Sequence, residues 1–200
     1  MFYEPDKRDY KLLPYDPFKA IVAPRPIGWI TSMSLKGELN LAPYSYFNGI
    51  TSKPNLVMFA SEGQKDSLNF VRESGEFVCS LATWDLRDAM NATAAPLARG
   101  VNEMERAGLA PAPSRLVKPP RVAASPCALE CRLVKIVSVE TFDGKPVDSH
   151  VVFGQVIGVH IDDRFIVDGL LDTAAMKPIA RCGYDQYAVV ESVFAMTRPT

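Results

Sequence analysis

The chain has 200 residues, 48% hydrophobic and 22% charged, a composition that builds a core without disulfide or metal staples. Its 22 basic and 23 acidic residues are interleaved to a net charge of −1, so no block of charge marks a nucleic-acid or anionic-membrane partner. No apolar run approaches the roughly 20 residues of a membrane helix, and the opening MFYEPDKRDYKLLPYDPF is polar and proline-broken, unlike a secretory leader.

Ile27–Met33 reads as a strand, and the polar turn Ser34–Gly37 returns the chain into a second strand from Leu39. That strand is expected to carry Ser45–Asn48. Asn55–Ser61 is a short apolar run between turn signals, a buried strand. Asp66–Ser74 reads as a helix with Leu68, Phe70 and Val71 on its apolar face, capped by Asp66 or Ser67 and stopped at Gly75. Glu76–Thr83 is a further strand. Asp85–Ala94 and Asn102–Ala107 have helical character. Pro111–Pro126 holds five prolines and reads as a surface loop.

Leu129–Thr141 and His150–Ile161 are long strand patterns joined across Asp143-Gly144, and Arg164–Val167 follows a tight turn at Asp162-Asp163. Asp172–Ala180 is expected to be a short helix, unsettled by Pro178. Six or more strands without regular β-α alternation point to a mainly β protein: one domain over residues 1–200, an antiparallel β-barrel with a few helices covering its ends. No G-x-G-x-x-G supports a dinucleotide fold.

The four cysteines are Cys79, Cys127, Cys131 and Cys182, and the only histidines are His150 and His160. The single C-x3-C pair has no second pair to complete a zinc site, so no metal is expected and a reduced, cytoplasmic setting fits.

The chemistry-bearing stretch is Thr31 to Ser67. Thr31 and Ser32 end one strand, aromatics alternate with hydroxyl and amide groups in Ser45, Tyr46, Phe47 and Asn48, and Ser61 ends another strand. Lys65, Asp66 and Ser67 open a helix, whose free N–H groups suit a phosphate. A flat ligand bearing a phosphate needs this mixture of apolar walls and polar edge groups.

PRPIGWITS (24–32), NLAPYSYFN (40–48), KPNLVMFAS (53–61), KDSLNFVRESGEFVCSLAT (65–83) and RCGYDQYAV (181–189) occur in one order. This set resembles the flavin reductase-like family of FMN-binding split β-barrels associated with flavoprotein oxygenases, over nearly the whole chain. The resemblance implies a homodimer with FMN near the interface. It implies an isoalloxazine against Trp29, Ile30, Thr31, Ser32 and Tyr44–Asn48, and a phosphate met by Ser61, Lys65 and Ser67, with Asp66 beside them and Thr31 or Ser32 nearby. DSHVVFGQV (148–156) is similar to a family strand whose histidine approaches the flavin, which gives His150 a catalytic role. Two features depart from compact members. Residues 84–126 form a longer, more helical insert expected to cover the flavin face, and Cys182 stands where relatives often carry glycine.

The implied activity is that of an oxidoreductase taking hydride from NADH or NADPH and passing electrons to flavin, oxygen or a partner oxygenase. The alternative is an FMN-binding electron carrier without its own pyridine nucleotide site.

Overall fold

The computed structural model describes residues 1–199. A one-turn helix α1 (Phe18–Ile21) precedes β1 (Arg25–Pro26), β2 (Gly28–Met33), β3 (Leu39–Tyr44), β4 (Phe47–Ser52) and β5 (Asn55–Glu62). Helix α2 (Asp66–Ser74) and β6 (Glu76–Leu81) follow, then α3 (Arg87–Ala92), α4 (Glu103–Arg106) and two short strands, β7 (Pro111–Ala112) and β8 (Arg121–Val122). The long pair β9 (Cys127–Glu140) and β10 (Pro146–Ile161) leads to β11 (Ile166–Val167), β12 (Leu170–Leu171), α5 (Thr173–Met176), β13 (Ile179–Arg181) and β14 (Tyr187–Val189).

Seven strands form one antiparallel sheet in the order β3-β2-β6-β9-β10-β5-β4. Its edge strands β3 and β4 are separated in sequence by Ser45 and Tyr46 alone. A flat sheet would hold these edges about 29 Å apart, at ~4.8 Å per strand. Two linking residues reach only on the order of 10 Å. The sheet therefore rolls until its edges meet at the Ser45-Tyr46 corner, where Ala60 N–H donates to the Tyr46 carbonyl at 2.8 Å. Gly28 permits the closure: a Cβ there would sit 2.5 Å from Cδ2 of Phe47.

Inside the barrel lie Ile30, Phe59, Leu68, Phe77 and Val152, with Phe59 and Phe77 edge-to-face at 5.5 Å between ring centres. Each such buried side chain contributes roughly 1.5–3 kcal/mol. A second cluster, with Trp29, Leu41, Met90, Met104 and Ile179, packs the outer face of β2 and β3 beneath α3 and α4. Strand β2 is thus buried on both faces, which explains why GWITSM does not alternate with polarity.

Several boundaries differ from the sequence expectations. Ser45–Asn48 do not continue the returning strand, because β3 stops at the corner and Phe47 and Asn48 begin β4 on the opposite edge. Neither Asp66 nor Ser67 caps α2: Lys65 occupies the cap position and offers no side-chain bond. The proline-rich stretch holds the β7–β8 pair within its loop. The 172–180 helix ends at Met176, because Lys177 turns left-handed at φ 49° and Pro178 then leads into β13. His150 lies within β10 and not at a strand start.

Candidate functional site

A cleft of about 540 Å³ opens beside the closure corner. Its walls come from β3 and the corner (Asn40, Tyr44, Ser45, Tyr46), from the start of α2 (Gln64–Ser67) and from Thr93–Leu97 after α3. Helix α2 begins here because Lys65 has extended backbone (φ −79°, ψ 163°) and Asp66 starts the helical run. With no side-chain cap, its first N–H groups are free to meet a ligand. Gly75 closes the other end in the left-handed conformation.

Polar groups converge on this end of the cleft. Asn40 Nδ2 donates to Ser67 Oγ at 2.6 Å. Burial raises the pKa of the Tyr44 hydroxyl, against the pull of the nearby Ser67 and Ser61 side chains. Glu103, largely buried at the start of α4, accepts the Leu41 N–H at 3.0 Å. Burial is the main force raising the Glu103 pKa, and the Leu41 bond opposes it. Arg99, which also reaches the cleft wall, is held by Glu38 at 3.1 Å and Glu73 at 3.4 Å.

Of the residues singled out in the sequence, Ser45, Tyr46, Lys65, Asp66 and Ser67 meet on the cleft wall. Trp29, Ile30, Thr31 and Ser32 are fully buried behind it. Trp29 Nε1 donates to Thr93 Oγ1 at 2.9 Å, so the ring braces the segment that roofs the cleft. Among the described residues the Thr31 and Ser32 hydroxyls have no hydrogen-bond partner. Ser61 is buried with its hydroxyl on the Gly63 carbonyl. Phe47 packs against the barrel core, and exposed Asn48 accepts from the Gly49 N–H.

His150 stands one residue back from the wall. Its Nε2 lies 2.7 Å from Gln64 Nε2, and its Nδ1 lies 3.2 Å from Ser138 Oγ. Arg72 donates to Gln64 Oε1 at 3.0 Å, which leaves the Gln64 amide N–H to donate to His150. The Nδ1–H tautomer completes this chain of bonds.

Sequence reasoning did not single out Asn40, Gln64 or Glu103. Asn40 opens the NLAPYSYFN motif; Glu103 lay in the insert expected to cover the site and carried no local signal.

The model of the flavin reductase like domain matches residues 22–174. The chain belongs to the flavin reductase-like family. A family relative from Aquifex aeolicus is 33% identical over 173 residues, spanning 84% of this chain and 85% of its own length. The structure is similar to nitrilotriacetate monooxygenase component B of Bacillus cereus, with TM-score 0.89 and 28% identity over 98% of both chains. It is also similar to 2-nitrobenzoate 2-nitroreductase of Pseudomonas fluorescens, with TM-score 0.85 and 26% identity over 100% of this chain and 97% of that one.

The cleft has the chemistry that a phosphorylated flavin of this family needs. An uncapped nine-residue helix, a lysine and a hydroxyl meet at one end, while Ala42, Pro43, Tyr44 and Tyr46 form a mostly apolar wall. Among the described residues, no cluster of three or more His, Cys, Asp or Glu side chains could hold a metal ion.

Proposed function

We propose that this chain is an FMN-dependent oxidoreductase that accepts hydride from NADH or NADPH and hands electrons to flavin, oxygen or a partner oxygenase. The carrying observation is the uncapped start of α2, with Lys65 and Ser67, opening into the cleft. Lys65, Ser67 and the Asp66 backbone N–H would receive the phosphate, and Ser45 and Tyr46 the ring edge. Trp29 and Thr31 would act through the wall they support, as would Ile30, Ser32 and Ser61, while Phe47 and Asn48 would set the corner. When bound, the flavin supplies two-electron acceptance and onward electron transfer. The similar monooxygenase component B and nitroreductase support the oxidoreductase class.

His150 would act through Gln64, fixing which amide group that side chain presents to the cleft. The test is anaerobic titration of the FMN-loaded protein with each nicotinamide. His150→Ala should leave FMN affinity within about threefold, while reduction slows at least about tenfold, on the order of 1.4 kcal/mol of barrier. Unchanged reduction would make His150 a structural member of the Arg72–Gln64–Ser138 network. The position of His150 off the cleft wall favours a second reading, an FMN electron carrier without a pyridine nucleotide site. On that reading neither nicotinamide reduces the flavin at a useful rate.

We also infer a homodimer. Phe18, Ile50, Met58, Val147, Val151 and Phe153 line an apolar groove of about 1020 Å³ on the outer face of β5 and β10, a surface that a second copy of the chain would cover. Light scattering at micromolar protein should give twice the 22.0 kDa chain mass; a monomer mass alone refutes the dimer. The four free thiols support a reducing, cytoplasmic setting. Among the described residues, no helix is long and apolar enough to cross a membrane.

A further inference from the structure

A second cavity, of about 770 Å³, adjoins the cleft and shares Lys19, Pro43, Ser45 and Ala94 with it. Its outer walls are the segments before α1 and between β13 and β14. The RCGYDQYAV motif folds here, yet the flavin site uses none of it. Gly183 brings that loop onto α1, since a Cβ at this position would fall 2.4 Å from Ala20 Cβ. Tyr184 then takes φ 55°, a left-handed conformation uncommon for a tyrosine. Its ring meets Tyr15 edge-on, with ring centres 6.0 Å apart. Tyr187 completes a three-ring lining, with the Arg181 guanidinium 4.6 Å from its ring centre.

The charges in this cavity do not balance. Arg25 and Arg181 are direct cross-strand partners in the β1–β13 pair, an arrangement that like charges disfavour. Arg181 is paired with Asp185 at 3.3 Å, and Asp16 is paired with Arg8 at 3.3 Å. Arg25 is 6% exposed, and its guanidinium donates to the Lys19, Val22 and Cys182 carbonyls. Its Nε has no partner among the described residues. Among the described residues neither Arg25 nor Lys19 has a carboxylate partner, and both stand 5.8 Å from the centre of the Tyr46 ring. Two cations without counter-ions, beside three rings, suit a ligand with one anionic group on a flat apolar body.

We propose that this cavity binds a small planar aromatic carboxylate, with its ring among Tyr15, Tyr184 and Tyr187 and its carboxylate toward Lys19 and Arg25. The ligand would lie next to whatever fills the cleft. The proposal rests on the flavin reading for the identity of that neighbour, not for the binding itself. A dinucleotide, whose pyrophosphate lysine and arginine would also attract, is the competing occupant that NAD⁺ displacement distinguishes.

The test is calorimetric titration with benzoate and with its uncharged counterpart benzamide, on the FMN-loaded protein and on protein stripped of flavin. Benzoate should bind at least about tenfold more tightly than benzamide. Lys19→Met should bring the two within about threefold by weakening benzoate alone. Tyr184→Ala should weaken both ligands by a similar factor. Lys19 and Tyr184 are exposed, so both variants should fold, and far-ultraviolet circular dichroism checks this. Equal binding of benzoate and benzamide overturns the proposal, as does a preference untouched by Lys19→Met. Displacement of benzoate by NAD⁺ from the flavin-stripped protein assigns the cavity to a dinucleotide and also overturns it. A benzoate preference in a protein with no FMN affinity removes the flavin reading and leaves this one standing. Bound FMN without a benzoate preference does the reverse.

Discussion

Glu130→Ala should destabilise the protein by roughly 3–5 kcal/mol, the cost of breaking a buried charge network by removing one partner. Glu130 lies in β9 at 1% exposure. Its carboxylate accepts the N–H groups of Arg115 at 2.7 Å, Leu116 at 2.6 Å and Val117 at 3.1 Å. His160 Nε2 lies 2.5 Å from the same carboxylate. One side chain thus fastens the proline-rich loop to the long β9–β10 pair and seats Val117 over Val78 and Ala128. Alanine would strand three backbone donors and an imidazole at once. Burial works to raise the Glu130 pKa, but the Arg115 N–H, His160 and the Leu116 N–H together hold it below the usual carboxylate value. The folded state therefore takes up this proton less readily than the unfolded chain. The contribution is complete above the ordinary glutamate pKa of about 4.3 and fades as pH falls through the lower folded value. Urea midpoints at pH 7 and below pH 4 measure both effects. Glu130→Gln should lose much of the acid sensitivity while retaining one oxygen acceptor for the loop. A midpoint at pH 7 within error of the parent for Glu130→Ala would show that the loop is held by Val117 alone.

Neither the fastening at Glu130 nor the closure at Ser45-Tyr46 could be read from the sequence, and for the same reason. Both depend on pairings far apart in the chain, 30 positions between Glu130 and His160 and 13 to 15 between Glu130 and the loop. Local pattern served well where local forces decide. The apolar face of α2, its stop at Gly75, and the long strands on either side of Asp143-Gly144 are set by spacing and turn chemistry. Local pattern does not reveal that β2 is buried on both faces: threonine and serine follow an aromatic residue in Trp29–Ser32, and α2 and the insert cover both sides of the strand. The cleft was half legible. Lys65 and Ser67 were visible as a phosphate-type signal, while Asn40 and Glu103 enter it only through the folding of β3 and the insert.

Lys65→Ala combined with Ser67→Ala should weaken FMN binding by about 2–4 kcal/mol, roughly 30- to 1,000-fold, if both charge-assisted bonds to the phosphate are lost. The two side chains contribute differently. Lys65 is exposed at the helix cap position and supplies charge at the mouth of the cleft. Ser67 is 1% exposed and already accepts from Asn40 at 2.6 Å, so its own proton is available to donate to a phosphate oxygen. The first N–H groups of α2 remain in the double variant, and the helix start keeps a residual preference for an anion. Riboflavin is the control. It has the same ring and ribityl chain and no phosphate, so its affinity should change by less than about threefold. Ser67→Ala also strips the Asn40 amide of an acceptor, and a Ser67→Cys variant, which keeps a weak acceptor, separates that loss from the phosphate bond. Fluorescence titration of both flavins against the parent and the variants reads all of these. A parent that binds FMN and riboflavin equally well would remove the phosphate from the start of α2 and leave the helix end without a ligand.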